Sequence, residues 1–289
     1  MKVRVATDSG SGLSKADCQA LDIDFLPLQV TIGDHNYLDG ETLDIPTLYE
    51  EIREGALPST SLPPLGLVED LLEQYEKDGV TDLILITLSN GLSSTNAVVT
   101  AAAQSHGINV HTLDLYTTLS IEWYAARAAR QLVEQGVDPE EIVERLKAAI
   151  NVSRGYLIPE DLDHLAKGGR LTPAAAKLAG LLKIKPILEV SVNTEGKVGT
   201  GDKVRAMHKA IKKGADIIGS QLDPDTEYEF FILDADNEEG AKLAIESLKG
   251  AAGADIHITR HPMFAVIACH TGLGAIGFQY IPKVEGVEI

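Results

Sequence analysis

Residues 83–95, LILITLSNGLSST, decide how the rest of the sequence is interpreted. An apolar run ends there at a small polar turn, and the next residues, 96–103 (NAVVTAAA), have helical character. The order predicts a buried strand, a turn and a helix N-terminus, where free N–H groups and the helix dipole can bind an anion. Ser93, Ser94 and Thr95 add hydroxyl donors, although ordinary capping of the helix would also explain them.

A second polar turn, 58–64 (PSTSLPP), precedes the amphipathic segment 65–75. Its apolar positions share one helical face, and the prolines suit the entry to a helix. Thr60 or Ser61 is therefore expected to cap this helix.

A third turn lies near the C-terminus, where 264–268 (FAVIA) is predicted to be a strand ending in 269–275 (CHTGLGA). This turn contributes His270, Thr271 and Gly272. Three polar turns at the ends of elements indicate a single anion site built from neutral donors.

The composition excludes several classes of function. The chain has 289 residues, 44% of them hydrophobic, and a formal net charge of −18. This length accommodates two domains or one large one, with a sizeable core. The negative field argues against nucleic acids and anionic membranes as partners, so an anionic ligand has to be held by local dipoles and buried donors.

Cysteine usage and hydropathy indicate an intracellular protein. Cys18 and Cys269 are far apart, so neither a disulfide framework nor a zinc site is implied. No secretory signal region and no stretch of roughly 18 apolar residues is found, so we expect no integral membrane association and a cytoplasmic location.

Strands and helices alternate through residues 1–150, which predicts a mainly parallel sheet with helices on both faces. The predicted strands are 3–7, 25–32, 83–88 and 109–113, with a hairpin arm at 33–40, and the predicted helices are 15–21, 46–53, 65–75, 96–104, 119–134 and 140–150.

The pattern changes after residue 151, where a hairpin turn at 193–197 (NTEGK) indicates antiparallel pairing. We predict a helix of small residues after 173, helices 203–219 and 237–249, and strands 184–190, 228–233, 255–259, 264–268 and 276–281. The fold class is therefore α/β with two α/β domains, 1–150 and 151–289. The second has a mixed sheet, and a ligand cleft lies between them.

Other chemistries fit the sequence less well. The loop 8–14 (DSGSGLS) lacks the third glycine of a dinucleotide fingerprint and the lysine of a phosphate-binding loop. His257 and His261 fall in a β-like region, where a spacing of four does not bring metal ligands together, so no metal is expected.

Two functional hypotheses remain open. In a hydrolase or acyltransferase, Ser93 would be the nucleophile and His270 the base, with Asp114 or Asp234 as the acid. Thr95, however, stands where a nucleophile elbow needs its second glycine. In a carrier, hydroxyl groups hold a carboxylate while an apolar tunnel takes a hydrocarbon tail, which contributes about 0.8 kcal/mol per methylene.

Taken together, several short motifs resemble the DegV family of fatty-acid-binding proteins, which includes the acyl-carrier subunits of bacterial fatty acid kinase. The resemblance covers nearly the whole chain. The matching segments are 8–13 (DSGSGL), 27–28 (PL), 60–63 (TSLP), 88–95 (LSNGLSST), 168–171 (GGRL), 185–188 (KPIL), 203–205 (KVR) and 270–274 (HTGLG).

The resemblance implies non-catalytic binding of a long-chain fatty acid between two domains, with no other cofactor. Thr60 and Ser93 would hold its carboxylate with His270 close by, and the neighbouring Ser61, Ser94, Thr271 and Gly272 complete the expected site. A fatty acid kinase subunit is implied as a partner. The expected contacts with the kinase or the head group are Arg170, Lys203 and Arg205, of which the last two are equally well explained as solvated residues at a helix start.

Overall fold

The first part of the chain alternates strands and helices as predicted. The computed structural model describes residues 2–178, 180 and 184–289. The elements are β1 (Val3–Asp8), α1 (Lys15–Ala20), β2 (Asp24–Leu26), β3 (Gln29–Ile32), β4 (His35–Leu38), α2 (Ile45–Arg53), β5 (Ser59–Ser61), α3 (Leu65–Asp78), β6 (Asp82–Ile86), α4 (Thr95–Ser105), β7 (Asn109–Thr112), α5 (Ser120–Glu134) and α6 (Pro139–Val152).

Four strands form a parallel sheet in the order β2-β1-β6-β7. All five residues of β6 are buried. Ile84 and Ile86 belong to one hydrophobic core, while Leu83 and Leu85 belong to another. The continuous apolar run therefore reflects a strand covered on both faces, as is usual in parallel sheets.

A second, antiparallel sheet has the order β4-β3-β5. The predicted hairpin arm is β4, but the strand predicted over 25–32 is divided at Pro27 into β2 and β3, which lie in different sheets.

The interpretation of 58–64 as a turn that caps the next helix is wrong. Thr60 pairs with Val30 at the edge of this sheet. The N-cap of α3 is Pro64, which makes no side-chain capping bond. Two consecutive prolines keep the preceding residues extended, so the helix starts too late for Thr60 or Ser61 to reach its first N–H groups.

The second part of the chain builds a six-stranded sheet in the order β10-β9-β8-β13-β11-β12. Only the β11–β12 pair is parallel, and β9 and β10 form the predicted hairpin. The elements are β8 (Arg154–Ile158), α7 (Leu162–Lys167), α8 (Pro173–Ala176), β9 (Lys185–Val190), β10 (Gly199–Val204), α9 (Met207–Gly219), β11 (Tyr228–Asp234), α10 (Glu238–Ala252), β12 (Ile258–Pro262), α11 (Ala265–Thr271) and β13 (Ile276–Pro282). The α/β fold with a parallel and a mixed sheet is confirmed, while the boundary at residue 150 stays a prediction.

The strand predicted at 264–268 is wrong, because 265–268 form the start of α11 and Phe264 is its N-cap. A short apolar run does not distinguish a buried strand from a buried helix by periodicity. The predicted helix 203–219 also begins later, since 203 and 204 belong to β10, and the strand predicted at 255–259 begins at Ile258. The small-residue helix is seen as α8, and its predicted continuation includes 179 and 181–183, which lie outside the described residues.

The two halves share one hydrophobic core, which includes Ile84 and Leu88 from the first and Leu157 and Leu233 from the second. A buried glutamine, Gln279 of β13, also joins the halves. Its side-chain nitrogen donates to Thr117 Oγ1 (3.2 Å) and to the Thr118 carbonyl (2.8 Å), and its oxygen accepts from the Ile121 N–H (3.2 Å). The contact holds the face of the mixed sheet against the loop that precedes α5.

Within the described ranges, no helix has both the length and the apolar character that a membrane crossing requires.

Candidate functional site

A cavity of about 600 Å³ lies between the mixed sheet and the loops that follow the strands of the parallel sheet. This volume is within the usual range of small-molecule sites, roughly 300–1,000 Å³. Most of its walls are apolar and come from both halves of the chain, including Leu28, Leu62, Leu88, Leu92, Leu119, Leu157, Leu165, Val190, Val198, Leu233, Val266 and Ile267.

The three polar segments singled out in the sequence meet at this cavity. β5 contributes Thr60, the β6–α4 loop contributes Ser93, and α11 contributes His270. The Thr60 hydroxyl and His270 Nε2 are hydrogen-bonded at 2.8 Å, although 210 residues separate them in sequence. Ser61, Ser94 and Thr271 also line the cavity.

The surroundings of Ser93 leave its hydroxyl proton available. Its oxygen accepts a hydrogen bond from the Thr95 N–H (3.3 Å) and lies 2.8 Å from Thr95 Oγ1, which is buried. When Thr95 donates, both lone pairs of Ser93 are used and its proton can point into the cavity. Ser93 can therefore accept a hydrogen bond from the first N–H of α4 and still donate its own proton into the cavity.

The β6–α4 loop is held by the turn of the β9–β10 hairpin. A Cβ atom at Gly91 would lie 2.6 Å from the Glu195 carbonyl oxygen, and one at Gly196 would overlap the Ser89 side chain. The absence of side chains at both glycines thus lets the hairpin pack directly on the loop that carries Ser93.

His270 is neutral at physiological pH. Burial lowers its pKa to about 4, and the charge of Arg170 and the nearby His164 act in the same direction. A neutral imidazole whose Nε2 carries the proton donates to Thr60, which frees the threonine proton for another acceptor.

We expect the imidazole of His270 not to titrate between pH 5.5 and 8 in the folded protein without ligand. Because its folded-state pKa is depressed, the neutral ring contributes stability that is present above the unfolded pKa, about 6.5, and is lost as the pH falls towards 4. NMR titration of the ring signals, assigned with His270→Asn, measures this, and the urea-unfolded chain is the control. A folded-state midpoint near 6.5 would contradict the assignment.

Arg170 is half-buried. Among the described residues that line the cavity, it is the one that carries a permanent positive charge. Its guanidinium donates to the Gly168 carbonyl (2.7 Å), and its own carbonyl accepts from the Val198 N–H (3.2 Å). The backbone of Arg170 is therefore bonded to Val198, the residue before β10, which also lines the cavity.

Three predicted site residues lie elsewhere. Gly272 ends α11 with a φ of 71° and faces the His164 ring instead of the cavity. Its role as a ligand contact is not supported by its position. Lys203 on β10 and Arg205 before α9 are exposed and do not line the cavity, so their contact with a partner stays a prediction.

The Ser93–His270 arrangement that the hydrolase hypothesis requires is not formed among the described residues. His270 bonds to Thr60 and no hydrogen bond joins it to Ser93. Asp114 accepts from the N–H groups of Asn90 and Tyr116, and Asp234 is paired with Arg260 at 2.8 Å. A serine nucleophile needs its base within hydrogen-bond reach and a third group that orients the base, and Ser93 and His270 lack both contacts.

In the described part of the chain, no group of three or more His, Cys, Asp or Glu side chains is placed to hold a metal ion.

The residues that the mixed sheet adds to the cavity were not predicted from the sequence. Gly155, Gly277 and Gln279 line it, as do Thr117 and Thr118 in the loop before α5. A glutamine and a glycine inside the apolar strand 276–281 were the available signal, since both residue types are unfavourable in a buried strand without a specific role.

Comparison with known proteins identifies relatives along the whole chain. The DegV family model, described as "Uncharacterised protein, DegV family", matches residues 2–283. A DegV domain-containing protein of Staphylococcus aureus is 31% identical over 290 residues, which cover 98% of this chain and 98% of the relative.

Two crystal structures are similar in both sequence and fold. The fatty acid binding DegV family protein of Streptococcus agalactiae is 30% identical with a TM-score of 0.88, covering 98% of this chain and 99% of that one. DegV, a fatty acid binding protein from Bacillus subtilis, is 31% identical with a TM-score of 0.85, covering 98% of this chain and 100% of that one.

Proposed function

This chain belongs to the DegV family, and on that premise we propose that it binds a long-chain fatty acid without transforming it chemically. The observation that carries the proposal is the composition of the cavity, in which neutral donors on three separate elements meet inside walls that are mostly apolar. A fatty acid has the same division into a small anionic head and a long apolar tail.

The head group is held by Thr60 and Ser93. When His270 donates to Thr60 and Thr95 donates to Ser93, each of the two hydroxyl protons is free for a carboxylate oxygen. Hydrogen bonds to a charged group contribute about 1.5–3 kcal/mol each. The positive end of the 11-residue helix α4 favours the same charge.

The tail supplies most of the remaining affinity. Each methylene removed from water contributes about 0.8 kcal/mol before the losses of ordering are counted. A protein of net charge −18 can therefore retain an anionic ligand through local donors and apolar burial.

We also propose that the bound fatty acid is presented to a fatty acid kinase subunit in the cytoplasm, where its carboxylate is phosphorylated. The exposed cations Lys203 and Arg205 and the half-buried Arg170 support contact with a kinase or a phosphorylated head group. Adding ATP and an active kinase subunit to the loaded protein is expected to yield acyl phosphate, and its absence would contradict this step.

The experiment that tests the binding proposal is native and denaturing mass spectrometry of the protein purified from a bacterial host, with identification of extracted lipid. We expect one non-covalent fatty acid per chain, observed under native conditions and released on denaturation. A protein that stays empty when fatty acids are supplied, or a covalent acyl adduct on Ser93, would contradict the proposal and favour the acyl hydrolase.

A further inference from the structure

The mixed sheet turns one well-defined face towards the cavity, and the strand register shows which residues form it. In antiparallel pairing, residues opposite each other lie on the same face. Gly277 is opposite Leu157 and Gln279 is opposite Gly155 on the two central strands, β13 and β8. The face extends to Val190 on β9, opposite Gly155, and to Leu233 on β11, opposite Gly277. All six residues line the cavity.

Two of these positions, Gly155 and Gly277, lie diagonally across the central strand pair and carry no side chain. The intervening residues point to the other face, where Ile158 and Phe278 pack in a separate core. The floor of the cavity therefore has a depression that runs obliquely across β8 and β13, with Leu157 and Gln279 at its sides.

Backbone conformation does not require glycine at either position, because neither residue has a positive φ. A glycine inside a strand is otherwise unfavourable, since it loses more backbone entropy on folding and has nothing to pack.

A methyl group at either position would be tightly packed against its neighbours. A Cβ atom at Gly155 would lie 3.1 Å from the Val190 carbonyl oxygen and 3.4 Å from the Gln279 and Thr117 side chains, and one at Gly277 would lie 3.3 Å from the Leu233 side chain. A larger side chain at either position would therefore have to displace these neighbours or extend into the cavity, which both glycines line.

We propose that Gly155 and Gly277 determine which acyl chains the protein accepts, because the depression they form receives methylene groups of the ligand tail. The inference rests on the proposed function and adds to it a preference for acyl-chain length. Long chains occupy the depression, whereas a short chain that does not reach it binds independently of these positions.

The test measures dissociation constants for saturated fatty acids from eight to eighteen carbons with wild type, Gly155→Val and Gly277→Val. Overfilling a packed apolar site is costly, so we expect binding of the sixteen- and eighteen-carbon acids to weaken about tenfold or more in at least one variant. Binding of the shortest acids is expected to change less than about threefold. Gly250→Val on α10 is the matched control, because a Cβ atom there has nothing within 4 Å.

The outcomes separate this inference from the proposed function. A wild-type protein that binds none of the acids would reject the function itself. If wild type binds the acids, two results would overturn the inference alone. The valine variants either keep the chain-length profile of wild type or lose affinity equally for acids of every length. Thermal unfolding checks that each variant folds. If a valine variant does not fold, the alanine variant at the same position must show the same selective loss of affinity for long chains, with a smaller fold-change.

Discussion

The double variant Thr60→Val with Ser93→Ala is expected to bind a sixteen-carbon fatty acid about 100-fold more weakly than wild type, or worse. Each substitution removes a hydroxyl that we assign to the carboxylate. A charge-assisted hydrogen bond contributes about 1.5–3 kcal/mol, which corresponds to roughly tenfold to 100-fold in affinity for each. Thr60→Val keeps a β-branched side chain on the edge strand β5, so the sheet should be preserved.

The comparison that isolates the head group uses a ligand without a carboxylate. The corresponding fatty alcohol should bind wild type and the double variant with similar affinity, because the apolar walls are unchanged. Ser59→Ala, at an exposed position of the same strand, is the control variant. Equal loss for acid and alcohol would show that the double variant damages the cavity, and no loss for the acid would reject Thr60 and Ser93 as the carboxylate donors.

The second prediction concerns two carboxyl groups buried behind the cavity. Asp8 accepts hydrogen bonds from the N–H groups of Gly10 (2.7 Å) and Leu88 (3.2 Å), and Glu122 accepts from the Thr118 hydroxyl (3.0 Å). Both side chains are fully buried. Burial raises the pKa of Asp8 to about 6, and burial together with the neighbouring Asp8 raises the pKa of Glu122 well above its usual value. We therefore expect the pair to retain a proton in the folded protein.

Glu122→Gln is expected to flatten the dependence of stability on pH. A carboxyl group whose pKa is higher in the folded chain contributes stability that is complete below its unfolded pKa, about 4, and is lost as the pH rises through its folded pKa. The free energy of unfolding of wild type should thus fall by roughly 1–3 kcal/mol relative to the variant between pH 5 and pH 8. The glutamine amide can donate to Asp8 at every pH, so the variant avoids this loss.

Urea unfolding at several pH values measures the difference. Glu134→Gln, on the exposed side of the same helix, controls for the change in net charge. Burial also raises the pKa of Asp39, to about 7, with a contribution from the charge of Asp8, so Asp39 titrates over the same pH range in wild type and in both variants. Parallel curves for wild type and Glu122→Gln would contradict the shared proton.

Much of the site was accessible from the sequence because its chemistry lies at the ends of regular elements. The run that became β6 and the helix that became α4 were recognised from a local pattern, and the loop between them contains Ser93. Thr60 and His270 were identified from the same kind of local polar turn, although the elements assigned around them were wrong. Residue type and position after an apolar run are local properties, so they can be read without the fold.

The partners of those residues were decided by the tertiary structure. The bond between Thr60 and His270 joins an edge strand to a helix 210 residues later, and the lowered pKa of His270 follows from burial that only packing produces. The edge strand β5 and the helix α11 replaced a turn and a strand, because short segments take the conformation that their neighbours stabilise.

The residues at the floor of the cavity also separate what the sequence determines from what the tertiary structure decides. The sequence by itself determined that this is an α/β protein with a set of neutral donors after its strands, since those features depend on local periodicity and residue type. That Gly155 and Gly277 lie diagonally across two neighbouring strands, on one face of a sheet, was decided by the pairing of β8 with β13. Strand register is set by contacts between distant segments, and a shift of one residue in either strand would turn the glycine of that strand away from the cavity.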